Sequence, residues 1–238
     1  RLMQLFQEAG FPAGVVNLIT GSGRDVGEPL SAHMQVNKIA FTGSTNVGKS
    51  IAQQATSNMK RVTLELGGKS PNIILPDADI DLAVEGAASA IFYNQGQVCT
   101  AGSRLYVHES ILDEVLEKLS KAAQAMTIAN GLDEASTMGP LVSARQYETV
   151  TRYIESALAE GAELITGGKR PAGFETGYYL EPTIFLDRDE KTCIAKEEIF
   201  GPVLTVISWS DIDDLVERAN DSIYGLAAGI WTNDLSKA

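Results

Sequence analysis

Apolar runs along the chain alternate between two periods, one of two residues and one close to 3.6, with glycines between them. Val15-Val16-Asn17-Leu18-Ile19-Thr20 is β-branched and closed by Gly21 and Gly23, which predicts a buried strand. A short helix suits Asp25 to His33. Lys38-Ile39-Ala40-Phe41-Thr42 predicts a second strand, ended by Gly43, and Asn46 to Asn58 carries Val47, Ile51 and Ala55 at helical spacing. Arg61-Val62-Thr63-Leu64-Glu65-Leu66 predicts a third strand, ended by Gly67-Gly68. Strands separated by helical crossovers imply a parallel α/β sheet. In such sheets ligands gather at the carboxyl ends of the strands, where Gly43 and Glu65 fall.

A second α/β unit begins near Ser70. Pro71 to Pro76 reads as a strand, and Asp79 and Asp81 are placed to cap a helix reaching about Tyr93. A polar loop follows, then a strand at Arg104–His108 and a helix from Ile111 to Ile128. Further helices are predicted over Val142–Glu160 and Ile212–Asn220. Strands are predicted near Glu163–Ile165, Glu181–Leu186, Val203–Trp209 and Ala227–Trp231. Gly167 to Gly177 reads as an exposed loop. No internal repeat or low-complexity segment interrupts the pattern.

Composition narrows this picture. The 238 residues are 44% hydrophobic and 21% charged, as in an ordinary globular protein with a sizeable core. A net charge of −12 argues against nucleic-acid or anionic-membrane partners, which need clustered Lys and Arg. No apolar stretch approaches the roughly 18–20 residues that span a bilayer. The two cysteines, Cys99 and Cys193, are too few for a disulfide scaffold and suit a reducing compartment, so a cytoplasmic setting is expected.

Cys99 lies in Gly96-Gln97-Val98-Cys99-Thr100-Ala101-Gly102-Ser103-Arg104, a polar, glycine-rich loop and not an apolar face. Free cysteine is commonly a small buried hydrophobe. In this loop, however, backbone N–H groups are available to an oxyanion and polarity favours a thiolate. Glu65 ends an apolar strand in Leu64-Glu65-Leu66-Gly67-Gly68-Lys69-Ser70-Pro71. A carboxylate there is either solvated at the sheet edge or functional. A soft nucleophile and a general base are the groups that form and then hydrolyse a thioester. Cys193, beside Asp187, Asp189 and Glu190, is expected to be structural.

These two segments, with Glu197-Glu198-Ile199-Phe200-Gly201-Pro202 downstream, resemble the aldehyde dehydrogenase superfamily. The resemblance covers the whole chain but only about the middle half of a usual family member, so both ends are expected to stop inside structural units. It implies part of a Rossmann-like parallel sheet in residues 1–68, as the C-terminal half of a dinucleotide-binding domain. Residues 69–238 would then form a second, cysteine-bearing α/β catalytic domain. It also implies Cys99 as nucleophile and Glu65 as the base for the deacylating water. Gly43, Ser44, Thr45, Gly48, Leu66, Glu198 and Phe200 would bind the cofactor, with Glu198 on the nicotinamide ribose and Phe200 near the nicotinamide. The implied cofactor is NAD, with NADP open. A small aldehyde is the implied substrate and a dimer or tetramer of identical chains the implied assembly. The family's asparagine oxyanion donor and adenosine-ribose lysine are not in these residues, so the chain alone is expected to be inactive.

Gly43-Ser44-Thr45-Asn46-Val47-Gly48-Lys49-Ser50 also satisfies G-x-x-x-x-G-K-[ST] between a strand and a helix, the context of a triphosphate P-loop. The same segment matches the family's G-S-T-x-x-G, and both uses aim backbone amides and a helix dipole at an anion. No second motif supplies a convincing magnesium aspartate; the nearest, Asp77, follows a proline. A nucleoside-triphosphate module therefore stands as one alternative. A CoA-acylating dehydrogenase is another, disfavoured by the base at Glu65. Gly21-Ser22-Gly23 with Gly27 is too weak a fingerprint to use. His33 and His108 fit no metal spacing or triad, and the Asp77/Asp79/Asp81 cluster reads as turn and cap chemistry, so no metal site is expected.

Overall fold

A computed structural model describes all 238 residues, which separate into two compact units, Arg1–Leu66 and Gly67–Ala238. The boundary falls inside the Leu64–Pro71 segment. The fold class is α/β, as the alternation of periods predicts.

The first unit carries helices α1 (Leu2–Glu8), α2 (Glu28–Ala32) and α3 (Thr45–Ala55) and strands β1 (Lys38–Thr42) and β2 (Arg61–Glu65). β1 and β2 pair in parallel with Thr42 opposite Glu65, and the Gly43 N–H donates to the Glu65 carbonyl at 3.0 Å. The strand ends of interest thus lie side by side. Gly48 is buried in α3 because a Cβ there would overlap the Leu66 side chain, so this glycine sets how closely the helix packs. Lys60 is buried as well, its ammonium satisfied by the Ser31 and His33 carbonyls.

The strand predicted at Val15–Thr20 is absent. That stretch is irregular, and Val15, Leu18 and Ile19 are 64%, 67% and 63% exposed. β-branched residues form a strand only where a neighbour completes the ladder and covers a face, and the sheet here consists of β1 and β2. The first of the three strands predicted for this unit therefore does not form, while the second and third do, as β1 and β2.

The second unit is built on six strands in the order β5-β6-β7-β4-β3-β8. They are β3 (Pro71–Ile74), β4 (Arg104–His108), β5 (Glu163–Thr166), β6 (Thr183–Leu186), β7 (Val203–Trp209) and β8 (Gly229–Trp231). All pairs are parallel except β5–β6, which is antiparallel at one edge. Helices α4 (Ile80–Phe92), α5 (Leu112–Gln124), α6 (Ala144–Ala159), α7 (Cys193–Lys196) and α8 (Ile212–Asn220) accompany the sheet. The central strands β4 and β7 are almost wholly buried, so they read as continuous apolar runs without alternation. α4 and α5 bury Ala83, Ala87, Ile91, Val115 and Leu119 with Ile74, Leu105 and Val206. α6 buries Val150, Ile154 and Ala157 with Phe185 and Val203.

The aspartates of 77–81 have structural partners. Asp79 caps α4 through the Leu82 N–H at 3.1 Å, Asp81 pairs with Lys118 at 2.6 Å, and Asp77 accepts from Thr232 and Lys237. No helix is long and apolar enough to cross a membrane.

Candidate active site

Within the second unit the three singled-out segments converge. Gly67–Ser70 runs into the amino end of β3, Cys99–Ser103 into β4 and Glu198–Pro202 into β7, and these strands are neighbours in the order β7-β4-β3. Backbone bonds splice the segments together: the Arg104 N–H donates to the Ser70 carbonyl at 3.4 Å and the Thr205 N–H to the Ser103 carbonyl at 3.0 Å. The expectation of carboxyl-end placement thus suits Gly43 and Glu65 in the first unit, whereas Cys99 and Glu198 gather at amino ends.

Glycine makes the convergence possible at two places. A Cβ on Gly68 would come under 3.0 Å from the Cys99 carbonyl oxygen, closer than real Cβ atoms approach. Gly96, at φ +68°, presses against the Gly201 carbonyl in the same way, and its left-handed backbone favours glycine independently. Asn94 and Gln95 before it are also left-handed, so the chain leaves α4 by an abrupt reversal. The Asn94 amide donates to the Gln97 carbonyl at 3.1 Å, and the Gln97 side chain accepts from the Val142 N–H at 3.0 Å. Cys99 itself is half-buried, free of any disulfide, and its N–H is paired to no carbonyl of the chain.

Glu198 accepts from the Gly68 N–H at 3.2 Å, and its own N–H donates to the Tyr224 hydroxyl at 3.4 Å. Burial raises its pKa above the usual carboxylate value, opposed by the Gly68 N–H and by Lys69. Phe200 is exposed, with its backbone in the left-handed region at φ +57°. Lys69 is 2% exposed and its Nζ has no partner. Burial, reinforced by the Arg104 guanidinium, pushes its pKa down to about 7, against the opposing pull of Glu198, Cys193 and Glu197.

Arg104 ties this region to the sheet. Its Nε donates to the Lys69 carbonyl at 2.9 Å and its Nη2 to the Ala219 carbonyl at 2.8 Å. Glu190, also buried, lies 3.6 Å away, accepts from the Tyr106 hydroxyl and from Arg218 Nε at 3.0 Å, and has φ +54°. Removing one partner from such a buried cluster typically costs about 3–5 kcal/mol, because it strands an unpaired charge.

Cys193 differs from Cys99. Burial, then the Glu160 carboxylate and Glu197, push its pKa up to about 11. The acids behind this shift are not the sequence neighbours that the expectation rested on. Asp187 instead accepts from Thr192 at 2.6 Å, and Glu190 belongs to the Arg104 cluster.

In the first unit, Glu65 is exposed at the carboxyl end of β2. Beside it, Ser44 caps α3 by accepting from the Val47 N–H at 3.4 Å, so the helix N-terminus starts level with Glu65. A groove of about 780 Å³ runs along α3 from Asn46 to Gln54. Leu30, Ile39, Phe41, Val47 and Ile51 make it apolar, with Arg24 on its wall. An apolar slot next to a helix N-terminus fits the flat base and the anionic bridge of a dinucleotide. The P-loop alternative loses support: Asp77, the nearest candidate for a magnesium ligand, is committed to Thr232 and Lys237.

Lys69, Gly96, Arg104 and Tyr224 were not assigned roles by sequence reasoning. A lysine between two glycines and a serine offered a signal for the first. Arg104 offered only its charge at the head of an apolar strand.

A free cysteine in a loop spliced to a glutamate segment marks a candidate site, and comparison with known proteins supplies the family. The model of the aldehyde dehydrogenase family matches residues 1–238. DhaS of Bacillus subtilis is 51% identical over 237 residues, covering 100% of this chain and 48% of that protein. Phenylacetaldehyde dehydrogenase of Pseudomonas fluorescens is 49% identical over 239 residues, covering 100% and 47%. A solved NAD+ complex of an aldehyde dehydrogenase from Bacillus cereus superposes with a TM-score of 0.95 at 48% identity, covering 98% of this chain and 47% of that one. The chain belongs to the aldehyde dehydrogenase family. It spans about half the length of the relatives it matches.

Proposed function

We propose that these residues serve the NAD-dependent oxidation of an aldehyde to a carboxylic acid. Residues 1–68 would contribute to dinucleotide binding, and 69–238 would carry the nucleophile. The observation that supports this most is the splice of the Cys99 loop, Gly68 and Glu198 at the amino ends of β4, β3 and β7.

Cys99 acts as a thiolate that adds to the aldehyde carbon, forming a C–S bond and an oxyanion. The Cys99 N–H, free within the chain, donates to that oxyanion. Bound NAD+ supplies the acceptor for the hydride that leaves this adduct, so that Cys99 is left as a thioester. Glu65 takes a proton from water, whose oxygen adds to the thioester carbonyl; the acid departs and Cys99 returns as the thiolate. Gly43, Ser44 and Thr45 at the α3 N-terminus, with Gly48 and Leu66 packed behind them, would hold the dinucleotide's anionic bridge, and the apolar groove beside α3 would take its base. Glu198 would accept from the nicotinamide ribose and Phe200 would pack near the nicotinamide. A base at Glu65 favours water over CoA as acyl acceptor. A dimeric or tetrameric assembly and a cytoplasmic setting follow from the family resemblance and the low cysteine count, and NADP stays open beside NAD.

The test uses the complete natural polypeptide that contains these residues, with acetaldehyde and phenylacetaldehyde as first substrates and each dinucleotide in turn. Reduced cofactor and carboxylate should form in equal amounts. Protection of Cys99 by ATP and not by NAD, with no aldehyde turnover, would return the nucleoside-triphosphate alternative.

A further inference from the structure

Gly68, which backs the Cys99 carbonyl, belongs to the irregular Gly67–Ser70 segment that leads into β3. Arg104 anchors that segment. Its backbone N–H donates to the Ser70 carbonyl at 3.4 Å and its Nε to the Lys69 carbonyl at 2.9 Å, so one residue grips two successive carbonyls. The Lys69 side chain adds no hold, because its Nζ has no partner. The guanidinium is fixed in turn from its far side. Nη2 donates to the Ala219 carbonyl at 2.8 Å and Nη1 to the Tyr106 hydroxyl at 3.0 Å. A cation at the last carbonyls of α8 also suits the helix dipole. The Tyr106 hydroxyl donates to Glu190, whose other oxygen accepts from Arg218 Nε at 3.0 Å. Glu190 keeps a left-handed backbone, which persists in such a residue only when the surroundings impose it. Buried ion clusters are often no more stabilising than apolar side chains of equal volume, so stability alone is a poor reason for this one. None of the four residues has a part in the proposed reaction.

We infer that Arg104 is a positioning residue for Cys99: set at a fixed angle by Tyr106 and Glu190, it holds Gly68 against the Cys99 carbonyl and so fixes where the thiol points. The Cys99 loop runs directly into β4, so the arginine that ends the loop also holds the neighbouring segment on which the loop rests. Loosening the guanidinium lets Gly68 withdraw, and the Cys99 peptide loses its backing. This rests on the reading of Cys99 as the reactive thiol, which the proposed function supplies.

The experiment measures iodoacetamide alkylation of Cys99 and Cys193 separately, by peptide mapping, and the burst of reduced cofactor with aldehyde, all on the complete natural polypeptide. Arg104→Lys keeps the charge but lacks the fork that holds the Lys69 and Ala219 carbonyls together. Tyr106→Phe keeps the ring packed and removes the hydroxyl between Arg104 and Glu190. Val115→Ala, a core truncation in α5, reports plain loss of stability. Alkylation of Cys99 and the burst rate should both fall about tenfold in Arg104→Lys, the scale of one lost charge-assisted hydrogen bond, and about threefold in Tyr106→Phe. Cys193 should react within about twofold of its wild-type rate in each. Val115→Ala should lower the urea midpoint and leave Cys99 unchanged. A purely structural role would lower the midpoint in the Arg104 and Tyr106 variants as well, with Cys99 reacting at its wild-type rate; that result overturns the inference. So does parallel change at both cysteines, or slowing of Cys99 in Val115→Ala equal to that in Arg104→Lys. Should Arg104→Lys not fold, Tyr106→Phe decides by the same criteria. Alkylation in the expected order without an aldehyde-dependent burst in the wild type removes the proposed function and leaves the positioning of Cys99 standing. Wild-type protein alkylated first at Cys193 overturns both.

Discussion

Gly68→Ala isolates the contact on which the site depends. Gly68 has no left-handed backbone to lose, so alanine is conformationally acceptable there and the effect is purely steric. The new methyl would sit under 3.0 Å from the Cys99 carbonyl oxygen, a backbone atom that cannot swing aside as a side chain would. Restoring ordinary contact requires a displacement of roughly 1 Å. Overpacking of this kind typically costs about 1–3 kcal/mol of stability. A displacement of about 1 Å in a reacting group can cost on the order of 10²-fold in rate. Gly67→Ala meets instead the Glu198 carboxylate, the end of a flexible side chain, which moves at little cost to folding. Gly225→Ala meets nothing within 4 Å and serves as the control. The assay measures three quantities on each variant: the rate of iodoacetamide reaction at Cys99, aldehyde turnover and NADH affinity. Gly68→Ala should depress the first two by about 10²-fold. Gly67→Ala should depress NADH affinity with Cys99 reactivity intact, and Gly225→Ala should change none of them. Wild-type thiol reactivity and turnover in Gly68→Ala would refute the steric argument.

Two further outcomes follow from burial and charge. Limited alkylation near pH 8 should modify Cys99 first and abolish activity, because Cys193, with its pKa pushed to about 11, stays protonated; peptide mapping that finds Cys193 labelled first at full activity contradicts this. Lys69 is buried with its pKa depressed to about 7, whereas in the unfolded chain it holds its proton up to about 10.5. Between those values the unfolded state binds more protons, so this residue makes stability rise with pH across that window, and its penalty is complete below it. Lys69→Met should therefore stabilise most at pH 7 and below, with a margin that shrinks towards pH 10; urea midpoints at pH 7 and pH 9.5 that shift equally would contradict the assignment.

The sequence was most legible where one local rule dominates. Strand β7 and helix α8 occur over the residues their periodicity predicts, Val203–Trp209 and Ile212–Asn220, and Asp79 caps α4. Helix ends were less legible: α5 stops at Gln124, not Ile128, because the following residues turn away to pair with the Thr137–Met138 stretch. The Val15–Thr20 run failed because strand formation needs a neighbour that composition does not specify. The candidate site divides in the same way. Cys99, Glu65 and Glu198 stand out as chemistry-bearing residues in polar or glycine-rich contexts. The glycines beside them are informative only once their contacts are known: Gly68 makes room for the Cys99 carbonyl, Gly67 for Glu198 and Gly48 for Leu66. The acids that silence Cys193 come from distant positions, Glu160 above all, and sequence adjacency pointed instead to Asp187 and Glu190. Arg104 is the extreme case, since its side chain holds carbonyls 35 and 115 residues away.

The central claim is that Cys99 carries the acyl group and that Glu65 activates the water that removes it. The direct test is Glu65→Gln in the complete natural polypeptide, mixed with NAD+ and aldehyde, quenched in acid and digested. The Cys99 peptide should gain the mass of the acyl group in a burst of about one reduced cofactor per site, while steady turnover falls by roughly 10²–10⁴-fold. An unmodified Cys99 peptide, or Glu65→Gln turnover equal to wild type, would contradict the account.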